Sequence, residues 1–299
     1  MPGRRPIIYS SLKKRRGRWR VVWVVALALA FGAGYALRSW KEDKGQPTLG
    51  PPLYEERVDK EISPPGKPKS FARRSPPSIL ELPMVAIVID DLGYQKQLAL
   101  DFINVEAPLT LSFLPQAPFA QEMAKQAFQK GKETLLHLPM EPNDYPKTNP
   151  GPEALLTSMQ DGEIMEILEK DLEAFPRVAG VNNHMGSRFT EDREKMALVL
   201  KAIKTRKLFF LDSRTTPHST VLSVASQVGV KAIQRDIFLD NVLEGKAIRL
   251  QIGQLIHLAQ EHGSAVACGH SYPLTLRVIK EKLPDLRDKV RLVPLSRLL

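Results

Sequence analysis

The chain of 299 residues is 43% apolar and 25% charged, which is enough apolar material for a large packed core and excludes a wholly disordered protein. Its formal net charge of +10 suggests nucleic-acid binding at first sight. The first 20 residues, however, hold eight bases and no acid, residues 38–82 add a surplus of two, and residues 83–299 are neutral. A phosphate-binding groove is therefore disfavoured, and we expect no nucleic-acid partner.

The amino-terminal segment has the pattern of a membrane anchor. Residues 1–20 form a basic tail, and residues 21–37 carry no charge. At about 1.5 Å per helical residue, this stretch spans a thin hydrocarbon core. The preceding bases predict a cytoplasmic amino terminus, so we expect a single-pass membrane protein whose main domain lies on the periplasmic or extracytoplasmic side. A cleaved signal peptide, with Gly34 and Ala36 at the cut site, is the alternative.

Residues 38–82 have the composition of a linker. Nine prolines lie between Pro47 and Pro83, with few aromatic residues and charges of both signs. Such a segment cannot bury enough apolar surface to order itself, so we predict a disordered, extended spacer.

Residues 83–299 alternate between short apolar runs and stretches with helical spacing. The runs are MVAIVIDD, LTLSFLP, ETLLHLP, VAGVNNH, LFFLDSR, a weaker VKAIQRD, SAVACGH and VRLVPLS. Strands buried on both faces and joined by helices pair in parallel, and this number of units closes a barrel. We therefore predict an α/β fold, a distorted (β/α) barrel of seven or eight mostly parallel strands. An open doubly wound sheet is the alternative, and no glycine-rich phosphate loop follows the first run.

Polar residues stand at the ends of almost all these runs. They are Asp90 and Asp91, His137 and Glu141, Asn182, Asn183 and His184, Asp212 and Arg214, Arg235 and Asp236, and His270. The carboxyl ends of parallel barrel strands share one rim, so we expect these residues to converge on one pocket.

The chemistry of this set favours a metal site. Asp90 and Asp91 are adjacent carboxylates at the edge of an apolar run, so a cation must offset their repulsion. Cys268 is the only cysteine, which excludes a multi-cysteine zinc site. One carboxylate and two imidazoles suit zinc and leave positions for water, while a further carboxylate and histidine complete the acid and base inventory for hydrolysis. A serine triad has less support because Ser187 lies in no G-x-S-x-G elbow.

Several of the motifs resemble one known family. VAIVIDDLGY, LSFLP, HLPMEP, NNHMGSRFT, FLDSRTT, RDIFLDN and GHSYP are similar to the divergent polysaccharide deacetylases, bacterial envelope proteins related to chitin and peptidoglycan deacetylases. The resemblance covers the chain from Pro83 to its end. It implies a deacetylase barrel and one divalent metal ion.

The resemblance also implies roles for individual residues. Asp90 matches the base and Asp91 the metal-binding carboxylate of the active deacetylases. His137 matches the first histidine of their His-x-x-x-His motif, whose second position is Glu141 here. The Arg-x-Pro-Tyr segment of those enzymes is replaced by NNHMGS, where His184 supplies an imidazole. His270 resembles the late histidine that protonates the leaving group.

We therefore expect a zinc-dependent hydrolase that removes acetyl groups from an envelope polysaccharide or peptidoglycan-type glycan. The expected metal ligands are Asp91, His137 and His184, with Glu141 as a further candidate; the catalytic residues are Asp90, His270, Arg214 and Arg235; and the substrate contacts are Asn182, Asn183, Asp212 and Asp236. Two alternatives remain: a non-catalytic glycan-binding or envelope scaffold protein on the same fold, and a metal hydrolase acting on a phosphoester, which would need a more basic rim.

Overall fold

The computed structural model describes residues 82–299. The predicted basic tail, membrane anchor and disordered linker lie outside the described residues, except for Leu82 at the linker boundary.

The expected single-pass topology, with a cytoplasmic amino terminus and the main domain across the membrane, is corrected here. None of the helices between residues 82 and 299 is both long enough and apolar enough to cross a bilayer. The physical reason is that these helices carry polar residues along one side. Residues 21–37, on which the expectation was based, are not among those that the structure describes.

The described residues form one parallel sheet with helices between its strands. The strands are β1 Met84–Leu92, β2 Thr110–Phe113, β3 Glu133–Met140, β4 Gly180–Met185, β5 Phe209–Asp212, β6 Ala232–Gln234, β7 Ile237–Phe238, β8 Ser264–His270 and β9 Arg291–Leu292. The helices are α1 Lys96–Ile103, α2 Ala120–Gln129, α3 Asp161–Ala174, α4 Arg193–Thr205, α5 Val221–Val228, α6 Gly245–His262 and α7 Pro273–Lys289, and Phe189–Glu191 and Leu295–Leu298 are 3₁₀ turns.

The spatial order of the strands is β6-β5-β4-β3-β2-β1-β8-β7, with β9 also paired to β1. The ladder is interrupted between β6 and β7, which are consecutive in the chain. The two residues between them bridge the interruption, because the Arg235 N–H donates to the Asp212 carbonyl and the Asp236 N–H donates to the Val266 carbonyl. The sheet therefore curls, and these two residues connect its edge strands β6 and β7, which do not pair with each other.

The two faces of the sheet bury different partners. Ile87 and Ile89 of β1 belong to the large core that the helices cover. Ala86 and Val88 belong to a smaller core on the inner face, because successive side chains of a strand point to opposite faces. Leu295 of the last 3₁₀ turn packs into this inner core. Helices cover one face only, so the fold is a curled β/α half-barrel. The predicted parallel β/α architecture is confirmed and the doubly wound alternative is wrong, but the sheet has nine strands rather than seven or eight.

The sequence pattern anticipated several helices in detail. The predicted apolar faces of α3, α4 and α6 are buried or half-buried at Ile164, Ile167, Leu168, Leu172, Met196, Val199, Leu200, Ile203, Ile248, Ile252, Leu255, Ile256 and Ala259. Gly263 ends α6 with φ 86°, a left-handed conformation that glycine adopts without steric cost.

Candidate metal centre

The centre lies toward the carboxyl ends of three strands. Asp91 is the penultimate residue of β1, and His137 and His184 lie on the paired strands β3 and β4, which β2 separates from β1. Asp91 has φ 58°, and the register between β1 and β2 shifts between Ile89 and Leu92. In a regular strand, Asp90 and Asp91 would face opposite sides of the sheet. The left-handed residue breaks this alternation, so both carboxylates face the same site.

Asp91, His137 and His184 form a compact buried cluster. The Asp91 Oδ1 lies 3.1 Å from the His137 Nε2 and 2.9 Å from the His184 Nδ1. One candidate ligand atom from each residue lies within 4.8 Å of the others. The three side chains are at most 4% exposed. A cation bound among them would therefore be largely buried by the protein.

The hydrogen bonding of Asp91 tests whether these residues fit a metal ion. Both of its carboxylate oxygens are buried, and neither accepts a hydrogen bond from any residue in the described part of the chain. The two imidazole nitrogens contact Oδ1 as ion pairs. Oδ2 has no such neighbour among the described residues; a buried carboxylate oxygen of this kind is costly, and a cation between the carboxylate and the two imidazoles would remove that cost. The residues therefore fit a divalent metal.

The electrostatics of the cluster agree with this assignment. Burial by itself would raise the pKa of Asp91, but His184 and His137 outweigh it and hold that pKa well below its usual value. Burial would lower the pKa of His137, but Asp90 and Asp91 raise it above the usual value. The site therefore holds an ionised carboxylate and attracts positive charge, whether from protons or from a metal.

Asn182 connects the two functional parts of the centre. Its Nδ2 donates to the Asp90 Oδ1 at 2.8 Å, and its Oδ1 faces the His137 Nδ1 at 3.0 Å. The Ser112 hydroxyl on β2 also donates to the Asn182 Oδ1, at 2.5 Å. Asn182 is fully buried. This geometry favours a positioning role over the substrate contact expected from the sequence.

His270 lies beside Asp90, which is its register partner between β1 and β8. Its Nδ1 is 2.8 Å from the Asp240 Oδ1, and its backbone N–H donates to the Asp240 Oδ2 at 2.8 Å. Burial lowers the pKa of His270, but Asp240 outweighs it and raises the pKa to about 9. The imidazole is therefore protonated at neutral pH and oriented by one carboxylate.

Glu141, the further candidate ligand, is fully engaged in other contacts. Its Oε2 accepts hydrogen bonds from the backbone N–H and the hydroxyl of Thr157, both at 2.6 Å. Its Oε1 pairs with Arg188 at 3.3 Å, and its carbonyl accepts the N–H groups of Arg188 and Phe189. Glu141 thus joins the loop after β3 to the turn after β4, and it is not in the metal cluster.

The remaining predicted residues lie around the centre in other roles. Asn183 donates to the Met185 carbonyl and accepts from the Ser213 N–H, and Asp212 accepts from the Arg214 N–H and the Ser219 hydroxyl. The exposed Asp236 accepts from the Val266 N–H, in the middle of β8 and below the rim. These three side chains hold backbone segments, and the structure does not bring them to the metal cluster.

The two predicted arginines differ in environment. Arg214 is exposed and has φ 52°. Arg235 is buried, donates to the carbonyls of Ser213 and Arg214, and stacks with its Cζ 3.6 Å from the centre of the Phe238 ring. That ring in turn stacks on His270 with a centroid distance of 5.4 Å. The Phe238 ring therefore stacks on both Arg235 and His270 and connects them.

Two functional residues escaped the sequence analysis. Asp240 holds His270, and Ser112 holds Asn182. Asp240 follows Asp236 by four residues in RDIFLDN, and the strand-end rule selected the earlier aspartate because the weak run gave no clear strand end. Ser112 alternates with apolar residues in LTLSFLP, so its inward position was readable from the period of two.

The fold and the site together define a class: β/α half-barrels with an aspartate and two histidines at the carboxyl-end rim. The sequence model of the family described as divergent polysaccharide deacetylase matches residues 87–299. The chain belongs to this family, as its motifs indicated.

Several relatives support the assignment. The chain is 36% identical over 215 residues to the uncharacterized protein YibQ of Escherichia coli, covering 72% of this chain and 67% of that one. It is 33% identical over 214 residues to an uncharacterized protein of Haemophilus influenzae, covering 72% and 76%. A crystal structure of an uncharacterized protein from Agrobacterium tumefaciens matches with a TM-score of 0.70 at 26% identity, covering 78% of this chain and 92% of that one.

Proposed function

We propose that this chain is a metal-dependent hydrolase that removes acetyl groups from a polysaccharide. Family membership supports the substrate class. The observation that carries the reaction class is the buried Asp91 carboxylate, which lies between two imidazoles and accepts no hydrogen bond from the described residues. A cation bound at this position would remove the cost of burying that carboxylate.

Asp91, His137 and His184 would hold the metal. One carboxylate and two imidazoles form a borderline donor set that suits zinc better than magnesium or calcium. A divalent ion at this position supplies Lewis-acid chemistry, because it acidifies water and polarises a carbonyl oxygen. All other steps fall to side chains of the chain itself.

Asp90 is the proposed general base. The Asn182 amide donates to its Oδ1, which orients the carboxylate to take the proton from the attacking water. The water oxygen then bonds to the acetyl carbon. Asp90 is 1% exposed, so the proton is taken in a largely dry environment.

His270 is the proposed general acid. Its pKa of about 9 keeps the ring protonated near neutral pH, and Asp240 occupies its Nδ1. The Nε2 proton is therefore the one transferred to the departing sugar nitrogen or oxygen as the acyl bond breaks. The products are acetate and the free amine or hydroxyl of the glycan.

The direct test measures acetate release from acetylated glycans by the full chain loaded with Zn²⁺. We expect release by the wild-type chain and a loss of about 100-fold or more in Asp90→Asn, within the range of acid–base catalysis. Asp288→Asn, an exposed aspartate on the outer helix α7, is the matched control and should retain activity.

Two outcomes would contradict the proposal. Equal release by the wild-type chain and Asp90→Asn shows that Asp90 is not the base. Binding of the glycan by the metal-loaded wild-type chain without acetate release instead supports the non-catalytic glycan-binding alternative.

A further inference from the structure

We propose that Asn182 is a positioning residue that couples the base to the metal centre: one buried amide orients Asp90 and also fixes which nitrogen of His137 faces the metal. This inference deepens the proposed function and rests on it for the role of Asp90. Its part concerning His137 rests only on the metal cluster.

The first observation is that Asn182 uses all of its hydrogen-bonding capacity. The amide nitrogen donates to the Asp90 Oδ1 at 2.8 Å and to the Ser213 hydroxyl at 3.3 Å. The amide oxygen faces the Ser112 hydroxyl at 2.5 Å and the His137 Nδ1 at 3.0 Å. An asparagine amide has two N–H groups and two acceptor lone pairs, so no position remains for a ligand. A side chain that is 0% exposed and saturated in this way acts on its neighbours rather than on the substrate.

The second step concerns the direction of each bond. The atom of Asn182 that faces Asp90 is the amide nitrogen, which donates to the Asp90 Oδ1. The oxygen therefore faces His137, and the His137 Nδ1 must carry the hydrogen that it receives. When this imidazole is neutral, its Nε2 then bears the lone pair, and that nitrogen is the one that lies 3.1 Å from Asp91. The orientation of the Asn182 amide thus sets the tautomer of His137, a proposed metal ligand on the neighbouring strand.

The third observation is the contact that Asn182 prevents. The His137 Nδ1 lies 3.9 Å from the Asp90 Oδ1. Without the amide between them, the carboxylate could turn to accept the Nδ1 hydrogen directly, and the base would then be neutralised by the ligand. Asn182 satisfies both groups separately and keeps them apart, which leaves Asp90 available for a proton from water.

The position of Asn182 in the sheet places its side chain next to that of His137. Asn182 is the register partner of His137 between β3 and β4, and their side chains share the inner face. Ser112 and Ser213 bind the amide from β2 and from the end of β5. Partners on β1, β2 and β3 and just after β5 therefore hold one amide plane, which is the support that a precisely oriented group requires.

The test replaces Asn182 in the full chain and measures metal affinity separately from turnover. Zn²⁺ affinity is measured by competition with a chromogenic chelator, and the ligand geometry by the visible absorption of the Co²⁺-loaded protein. Asn182→Ala removes the acceptor for the His137 Nδ1, so we expect Zn²⁺ affinity to fall by about 10- to 100-fold, as loss of an outer partner of a metal ligand does. Ser112→Ala, which leaves the amide in place, should lower it by less than about tenfold in the same direction.

Asn182→Asp separates the two roles. The new carboxylate still accepts from the His137 Nδ1, so we expect Zn²⁺ affinity at or above the wild-type value. It no longer donates to Asp90 and repels it, so kcat for acetate release should fall by about 100-fold with little change in KM. Asn104→Asp is the matched control, because it makes the same change at an exposed position after α1, away from the metal cluster, and should leave metal affinity unchanged.

The outcomes distinguish this inference from the proposed function. Wild-type metal affinity in a folded Asn182→Ala overturns the coupling, and so does a parallel loss of metal affinity and kcat in Asn182→Asp. Circular dichroism verifies folding, and Ser112→Ala decides the question if Asn182→Ala does not fold. If the wild-type chain releases no acetate, the proposed function fails, while the metal affinities still decide whether Asn182 sets the ligand tautomer.

Discussion

Two buried carboxylates at the same rim of the half-barrel have opposite environments. Glu141 is 5% exposed and is saturated by Thr157 and Arg188, whereas Asp91 is 2% exposed and accepts no hydrogen bond from the described residues. Burial alone would have ranked the two residues equally as metal ligands. The difference in hydrogen bonding, rather than burial or position at a strand end, is what distinguishes the proposed ligand from a side chain that holds two loops together.

The largest expected effect comes from Asp91→Asn. The amide is isosteric but neutral, so we expect Zn²⁺ affinity to fall by more than about 100-fold, beyond what loss of an outer partner costs. Zn²⁺ at 100 times its Kd should stabilise the wild-type chain by about 2.7 kcal/mol and should leave the thermal midpoint of the variant unchanged. An unchanged metal-dependent shift in the variant would mean that Asp91 is not a ligand.

The next largest effect is expected at Asp240, a carboxylate that is buried like Asp91 but paired with an imidazole. Asp240→Asn removes the charge that raises the pKa of His270 to about 9, so that pKa should fall toward 6.5. The protonated acid is then lost at lower pH, and the alkaline limb of kcat for acetate release should move down by on the order of 1–2 pH units. An unmoved limb would show that His270 is not the acid.

Glu141→Gln is the counterpart of Asp91→Asn. The neutral side chain keeps its size but weakens the bonds to Thr157 and Arg188, so we expect the free energy of unfolding to fall by about 1–2 kcal/mol. Zn²⁺ affinity should stay within about threefold of wild type, as chelator competition would show. A large loss of affinity without loss of stability would reverse the roles of the two rim carboxylates.

The smallest effect is expected at Asp171, a buried carboxylate away from the imidazoles. One of its oxygens accepts from Gln116, and the other accepts no hydrogen bond from the described residues. Burial, followed by Glu153, raises its pKa from 3.8 to about 7. The fold thus favours the protonated form, and the associated stability is present below about pH 4 and is lost as the pH rises through about 7.

Asp171→Asn should therefore increase the free energy of unfolding by roughly 1 kcal/mol at pH 8 and have little effect at pH 4. Urea denaturation at the two pH values measures the difference. An equal effect at both would show that the charge of Asp171 is already compensated. An unsatisfied oxygen by itself would then not be costly in this protein, and the argument from Asp91 would depend on its imidazoles.

Much of the fold could be predicted from the sequence because its signals are local. Apolar runs of strand length, helical faces such as that of Ile248 and Ile252, and the glycine that ends α6 each follow from a period or a backbone preference. The weak run VKAIQRD was harder to interpret, because it forms only the three-residue strand β6, and the two-residue strand β7 that follows it lies at the other edge of the sheet. The placement of β6 beside β5 and of β7 beside β8 depends on the curvature of the whole sheet, which no local sequence pattern encodes.

The site was predictable to the level of which residues meet. Asp90, Asp91, His137, His184 and His270 gather at one rim, as the strand-end rule predicts. Their individual partners were not predictable, because a hydrogen bond depends on register and on side-chain direction to within a fraction of an ångström.

By itself, the sequence determined the alternation of strands and helices, the family, and the set of acids and imidazoles at the strand ends, since these depend on residue order and periodicity. Only the tertiary structure decided that Asp91 lacks a hydrogen-bonding partner while Glu141 is saturated, that Asp240 rather than Asp236 orients His270, and that Asn182 lies between Asp90 and His137. The physical reason is that these distinctions arise from a left-handed residue at Asp91 and from the parallel register of β3 with β4, both of which exist only once distant segments have packed together.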